Sequence, residues 1–258
     1  MLIRALQTCA FVLILAGLVA CAPLRPEAAA RDDSITQSRW AGASVSEGPA
    51  GPGGPWKHQE FPGKRASVYR YEQRDGRDTI AVQSNAAASV LRQVLRIEAA
   101  DLGRMRFSWK VPALIADANL RDRDYSDSPV RIVLAFEGDR SHFSARDAML
   151  SELAHALTGE PMPYATLMYV WGNHSAPGTV LHNTRTSRIR KLVMESGPSK
   201  LSQWLEYERD VRADFEKAFG EPPGALVSIG IMTDTDNTGS SATAWYGPLR
   251  HVRVKASP

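Results

Sequence analysis

Met105-Arg106-Phe107-Ser108-Trp109-Lys110-Val111 alternates apolar and polar residues at every step. Successive side chains of a strand point to opposite faces, so this pattern is that of a strand with one face buried and the other wet. Working outward, stretches 67–72, 79–83, 130–136, 166–171, 188–194, 226–232 and 243–254 have similar strand character, while 90–98 reads equally as strand or helix. Two helices interrupt them. Ser144-Ala-Arg-Asp147 has capping-box spacing, and Met149, Leu150, Leu153, Ala154 and Leu157 follow on one helical face, before Gly159 and Pro161 end it. A second helix is expected over 201–219, with Trp204, Leu205, Val211, Phe215, Ala218 and Phe219 inward and Gly220-Glu-Pro222-Pro223 as its stop. Many irregularly spaced strands with only two helices predict a mostly β fold, an antiparallel sandwich with two helical insertions rather than alternating βαβ units.

The chain has 258 residues, 43% hydrophobic and 23% charged, which suffices for a real core and excludes wholesale disorder, collagen and coiled coil. Its 31 Lys and Arg against 28 Asp and Glu give a net charge of only +3, spread without a dominant block, which excludes a dedicated nucleic-acid binder.

The amino terminus sets the expected compartment. Residues 1–4 are positively charged and residues 5–20 are uncharged and largely apolar, the pattern of a secretory signal peptide. Leu18-Val19-Ala20-Cys21 resembles the lipobox of bacterial lipoproteins, which implies cleavage before Cys21 and acylation of that residue. The alternatives are an ordinary secreted protein cut near Ala28-Ala29-Ala30 and a retained anchor, for which the apolar run falls short of the ~20 residues a span needs. Ala22 rather than Asp after the cysteine resembles the rule for sorting to the outer membrane. The expected organisation is a lipoprotein signal peptide over 1–20, an acylated Cys21 with a Pro/Gly/Ala-rich tether over 21–56, and a single domain over 57–258. Cys9 would leave with the signal, and no thiol would remain for a disulfide or a zinc site.

Asp234-Thr-Asp236-Asn237-Thr238-Gly239 is the sharpest local pattern for a site. Oxygen-bearing residues at relative positions 1, 3 and 5 with Gly at 6 match the first half of a calcium loop, so Asp234, Asp236 and Thr238 are candidate Ca2+ ligands, with Asp124 and Asp127 as further donors. Position 12 would be Trp245 and not Glu, which excludes an EF-hand. The same residues also read as a polar turn whose Asp and Asn bond local backbone while Gly239 takes positive φ. Trp245 and Tyr246 are candidate stacking surfaces for sugar rings and must face opposite ways if extended. Trp109, Tyr169 and Trp171 read as core. His174 sits in a Gly172-Asn173-His174-Ser175 loop pattern. Arg185, Arg188, Arg190 and Lys191 form a basic strand surface, either a meeting place for anionic glycan or lipid headgroups or a solvated edge.

Phe107-Ser-Trp109-Lys-Val111, Asp127-Ser-Pro129-Val130-Arg131-Ile-Val-Leu-Ala-Phe136, Tyr169-Val-Trp171, Ile231-Met-Thr-Asp234-Thr-Asp236-Asn237-Thr238-Gly239 and Ala244-Trp245-Tyr246-Gly247 together resemble the bacterial domain of unknown function 3047. That resemblance implies a jelly-roll-like sandwich of the kind seen in carbohydrate-binding modules, and it carries no activity with it. The resulting expectation is a membrane-tethered envelope domain that binds a glycan or another envelope component without turnover. Asp234, Asp236, Asn237, Thr238, Trp245, Tyr246 and His174 are its candidate contacts. The alternatives are a polysaccharide hydrolase using Asp234 and Asp236, and a structural lipoprotein whose partner is an envelope protein.

Overall fold

A computed structural model of the chain describes residues 32–44 and 53–253. The expected signal peptide and Cys21 lie outside these residues. The fold is a β-sandwich of two sheets. One contains seven strands, in the order β1 (Trp56–Glu60), β4 (Ser89–Ile97), β11 (Leu226–Asp234), β6 (Ser128–Phe136), β7 (Ala165–Gly172), β9 (Ile189–Ser196) and β8 (Val180–His182). The other runs β10 (Trp204–Asp210), β5 (Arg104–Lys110), β12 (Ser241–Tyr246), β3 (Arg77–Asn85) and β2 (Val68–Arg74), with β13 (Arg250–Val252) also on β5. All pairings are antiparallel except β7 with β9, which is parallel.

The alternation of β5 is realised as read. Met105, Phe107 and Trp109 enter the core, and Tyr169 stacks on Phe107 from the opposite sheet with ring centroids 5.4 Å apart. The ambiguous 90–98 stretch is strand β4, lying between β1 and β11. The stretch 243–254 is two strands, because Gly247 and Pro248 break it: the Gly247 N–H bonds back to Ser108, and Pro has no N–H for the ladder.

Three expectations are corrected or refined. Residues 204–210 are strand β10 and not helix, which confines α4 to Val211–Phe219. Leu205, Tyr207 and Arg209 lie on one side of β10, while Glu208 on the other pairs with Arg104 and Arg106 of β5. That two-residue period and the cross-strand charges outweigh the helical spacing of Trp204 and Leu205. Asp210 then caps α4, accepting from Ala213 N. Second, the span expected as tether contains two short helices, α1 (Asp32–Thr36) and α2 (Arg39–Ala43), and Ile35 and Trp40 are fully buried. Trp40 lies 4.6 Å from the Trp56 ring. Third, α3 (Ala145–Thr158) turns only part of its apolar face to the protein, Leu150 and Ala154 being half-buried. Asp147 and Ser151 are buried, while Met149, Leu153 and Leu157 are exposed. The Ser144 cap forms as expected, accepting from Asp147 N, but the Asp147 carboxylate is drawn inward by Thr186 and Ser187. None of the described helices is long and apolar enough to cross a membrane.

Candidate functional site

Alternation along the seven-stranded sheet sends Leu91, Ile132, Leu134, Leu167, Ile229 and Ile231 into the core between the sheets. The intervening side chains face outward. Val90, Val133 and Met232 pack there with Ala88 and Phe61. This outer face is the floor of a groove whose aliphatic part also includes Ala135 and Met168, with Ala154 and Thr158 of α3 on its wall. Beyond Met232 and Phe61 the groove becomes polar and encloses about 260 Å³ beside Lys64, Arg131, Lys191, Asp234 and Asp236.

The polar end is built from three strands and a loop. Arg131 on β6 and Asp234 at the end of β11 form an ion pair of 2.7 Å with both side chains more than nine-tenths buried. A register irregularity between Met232 and Asp234 lies at this point of the β11–β6 ladder, and such irregularities re-aim side chains next to sites. Lys191 on β9 is 2% exposed and donates to the Leu120 carbonyl and the Ser126 hydroxyl. Asp236 is paired with Lys64. Asp127, 1% exposed, accepts from Asn237 N (3.2 Å), Asn237 Nδ2 (2.9 Å), Thr238 N (2.8 Å) and Thr238 Oγ1 (2.7 Å). One carboxylate thereby satisfies the loop that follows β11, and Gly239 takes a φ of 65° where the chain turns.

Burial sets the proton affinities. It pushes the Asp234 carboxyl up to about 7, which the Arg131 guanidinium only partly offsets and the hydrogen bond to Asp236 reinforces. Burial also raises Asp236, but its bonds to Asp234 and Lys64 prevail and hold it below the usual carboxylate range. Desolvation, with Arg131 adding its repulsion, brings the Lys191 ammonium down to about 7. Asp234 Oδ1 and Arg131 Nε are buried without a hydrogen-bond partner among the described residues. Unsatisfied buried groups are rare and mark places where a further group can bind.

Carboxylate oxygens of Asp127, Asp234 and Asp236 lie within 4.8 Å of one another, a spacing at which a cation can be held. The surrounding charges oppose one. Arg131 compensates Asp234, Lys64 compensates Asp236, Lys191 is adjacent, and the Thr238 hydroxyl expected to ligate calcium donates to Asp127 instead. Ca2+ requires six to eight oxygens, and most of those here are already engaged by Arg131, Lys64 and Asp127. Calcium is therefore expected to leave the melting temperature within about 1 °C of that in chelator, because a ligand without a folded-state site adds no stability. A rise of several degrees would restore the loop to a calcium site.

The remaining candidates separate. Tyr246 is fully buried; its hydroxyl donates to the Met232 carbonyl and accepts from Arg131 N, which makes it a brace beneath the site and removes it as a ligand contact. Trp245 lies half-buried on the outer side of the other sheet, its Nε1 bonded to Glu72 and its ring covered by Arg74 at 4.3 Å. It cannot share a ligand with Asp234. His174 is exposed on a loop outside the groove lining. The basic strand is not a solvated edge, since β9 lies between β7 and β8. Arg188 turns in to Tyr164 and Glu221, and Lys191 into the groove. Arg131, Lys64 and His182, also on the groove, were not among the expected site residues. A lysine inside the apolar run Ile189-Arg-Lys191-Leu-Val-Met194 is the one pattern that points to a buried amine.

Fold and site thus define a sandwich domain with a ligand-sized groove on the outside of one sheet and a buried charged cluster at the groove's end. The chain belongs to the family described as protein of unknown function DUF3047, whose model matches residues 54–250. No curated protein matches the sequence. Among solved structures, the xyloglucanase domain of NopAA from Sinorhizobium fredii, in complex with cellobiose, is similar at 9% identity and a TM-score of 0.42, over 77% of this chain and 93% of that one. The endo-1,4-beta-glucanase CelB2 is similar at 10% identity and a TM-score of 0.34, over 78% and 88%.

Proposed function

We propose that this is a non-catalytic binding domain of the bacterial cell envelope, carried as an outer-membrane lipoprotein through acylated Cys21, whose groove takes an anionic envelope glycan. The observation behind this reading is the buried Arg131 and Lys191 at the groove's polar end, with Lys64, Arg123 and Arg185 around it. Aliphatic side chains farther along suit the apolar face of a sugar, and the cations suit a uronate or phosphate substituent.

Binding should depend on pH. Below pH 7 Lys191 is charged and Asp234 is protonated, so the groove is at its most positive. As pH rises through 7 the lysine loses its proton and Asp234 ionises, and the groove sheds up to two units of positive charge. Uronate-bearing glycans are accordingly expected to bind about tenfold more tightly at pH 6 than at pH 8, a difference of ~1.4 kcal/mol. Titration calorimetry on the full chain would show this. Equal affinity for neutral glycans, or affinity that rises with pH, would sink the proposal.

A polysaccharide hydrolase is the second reading, favoured by an acid that titrates near neutrality beside an ionised one. Its difficulty is spacing. Glycosidases hold their two carboxyls about 5–9.5 Å apart across the scissile bond, whereas carboxylate oxygens of Asp234 and Asp236 lie within 4.8 Å of one another. Release of reducing ends that disappears on replacing both with Asn would favour the enzyme. A structural role with an envelope protein as partner is left if no saccharide binds.

A further inference from the structure

Five large apolar side chains stand about half exposed or more among the described residues: Val94, Tyr125, Met149, Leu153 and Leu157. Three of the five belong to α3, spaced four apart, and so form one line along the helix. The side of α3 turned to the protein carries Leu150 and Ala154, both half-buried, and is fixed by two buried polar residues. Asp147 is held by Thr186 and Ser187, and Ser151 accepts from Arg140. The helix is thus held through Asp147 and Ser151, with three of its apolar side chains turned outward. A surface helix of a globular protein ordinarily does the reverse. Rotating it to hide the stripe would strip the Asp147 carboxylate of its hydroxyl partners.

We propose that this stripe is a membrane-contact surface, Met149, Leu153 and Leu157 embedding in the interfacial layer of a lipid bilayer with Arg146 and Arg185 toward anionic headgroups. Size argues for lipid over protein. A 14-residue helix is ~21 Å long, and a stripe one side chain wide covers about 200 Å². That is well short of the ~800 Å² per partner that a stable protein interface or dimer buries. A bilayer needs no matching surface, and a helix lying in its interface sinks only ~5–10 Å. Charge agrees. Arg146 lies on the same side as the stripe, Arg185 faces the helix's first turn, both are exposed, and neither makes an ion pair among the described residues. Glu152 stands on the flank, away from the stripe. Met149, Leu153 and Leu157 line no part of the groove, so the stripe is separate from what the groove binds, while Arg185 borders both.

The test reads one position. In the full chain with Cys9→Ser and Cys21→Ser no native thiol or lipid attachment is left, and a single Leu153→Cys carries an environment-sensitive fluorophore. A second protein carries the same label at Arg70→Cys on the other sheet. Any attachment elsewhere in the chain brings both labels near a vesicle, but only insertion of α3 buries one and not the other. With phosphatidylglycerol-containing vesicles the label at 153 should brighten about threefold and shift to the blue, while the label at 70 should not. Adding Met149→Glu and Leu157→Glu, both at exposed positions, should abolish the response with the melting temperature kept. Equal responses at the two sites would overturn the proposal. So would a response at 153 that grows with protein concentration in the absence of vesicles, which would assign the stripe to a second copy.

Discussion

Asp127→Ala is expected to destabilise the domain by about 3–5 kcal/mol, the range for removing a buried charged group on which several others depend. Asp127 is 1% exposed and accepts four hydrogen bonds, all from Asn237 and Thr238, some 110 residues along the chain. Without it the two backbone N–H groups must open to water or go unpaired, and the loop carrying Asp236 separates from the start of β6. Asp127→Asn keeps one oxygen but points an amide at the remaining donors, so about half of that loss is expected. Urea unfolding gives the energies, and amide exchange over residues 235–239 gives the location. A loss below 1 kcal/mol for Ala would mean that the carboxylate does not organise the loop, and the groove's polar end would need another explanation.

The second large effect lies in the segment whose composition reads as tether. Trp40→Ala should lower stability by about 3–5 kcal/mol, as for other large core aromatics. Trp40 is fully buried against Trp56, and its segment is tied at several points: the Thr36 hydroxyl to the Trp56 carbonyl, the Leu249 N–H to the Ser44 hydroxyl and Arg250 to the Ala43 carbonyl. A chain begun at residue 53 should lose a similar amount, because Trp56 would be uncovered. If neither change moved the unfolding midpoint, the helices would be an ornament on the tether and not part of the core.

Sheet strands were legible where the pleat leaves a period of two, as in Met105, Phe107 and Trp109, and where β-branched runs are long, as in β6 and β11. Residues 32–44 were not, because the core contribution comes from isolated side chains, Ile35 and Trp40, in a stretch without period. The apolar line of α3 is real, but periodicity reports that a helix has two faces and is silent on which one the protein buries; the Thr186 and Ser187 hydroxyls decided that from 40 residues away. Of the site, the turn at Asp234–Gly239 and the positive φ of Gly239 could be read locally, but the partners of its side chains, Asp127, Arg131 and Lys64, lie far off in sequence and not in the local backbone. Arg131 and Lys191 become site residues only through the order in which β6, β7 and β9 are laid side by side, information that no local pattern carries.

The seating of α1 and α2 on the sandwich shortens the leash. Had the whole span from Cys21 to Trp56 been free, its 34 intervening residues would reach at most ~120 Å when fully drawn out. With Ile35 as the first buried side chain, thirteen residues separate it from Cys21, and the limit falls to ~50 Å. A lipid on Cys21, as proposed, would then hold the sandwich within about one domain diameter of the bilayer. The domain would survey a thin shell of the envelope close to the membrane rather than sweep its full depth.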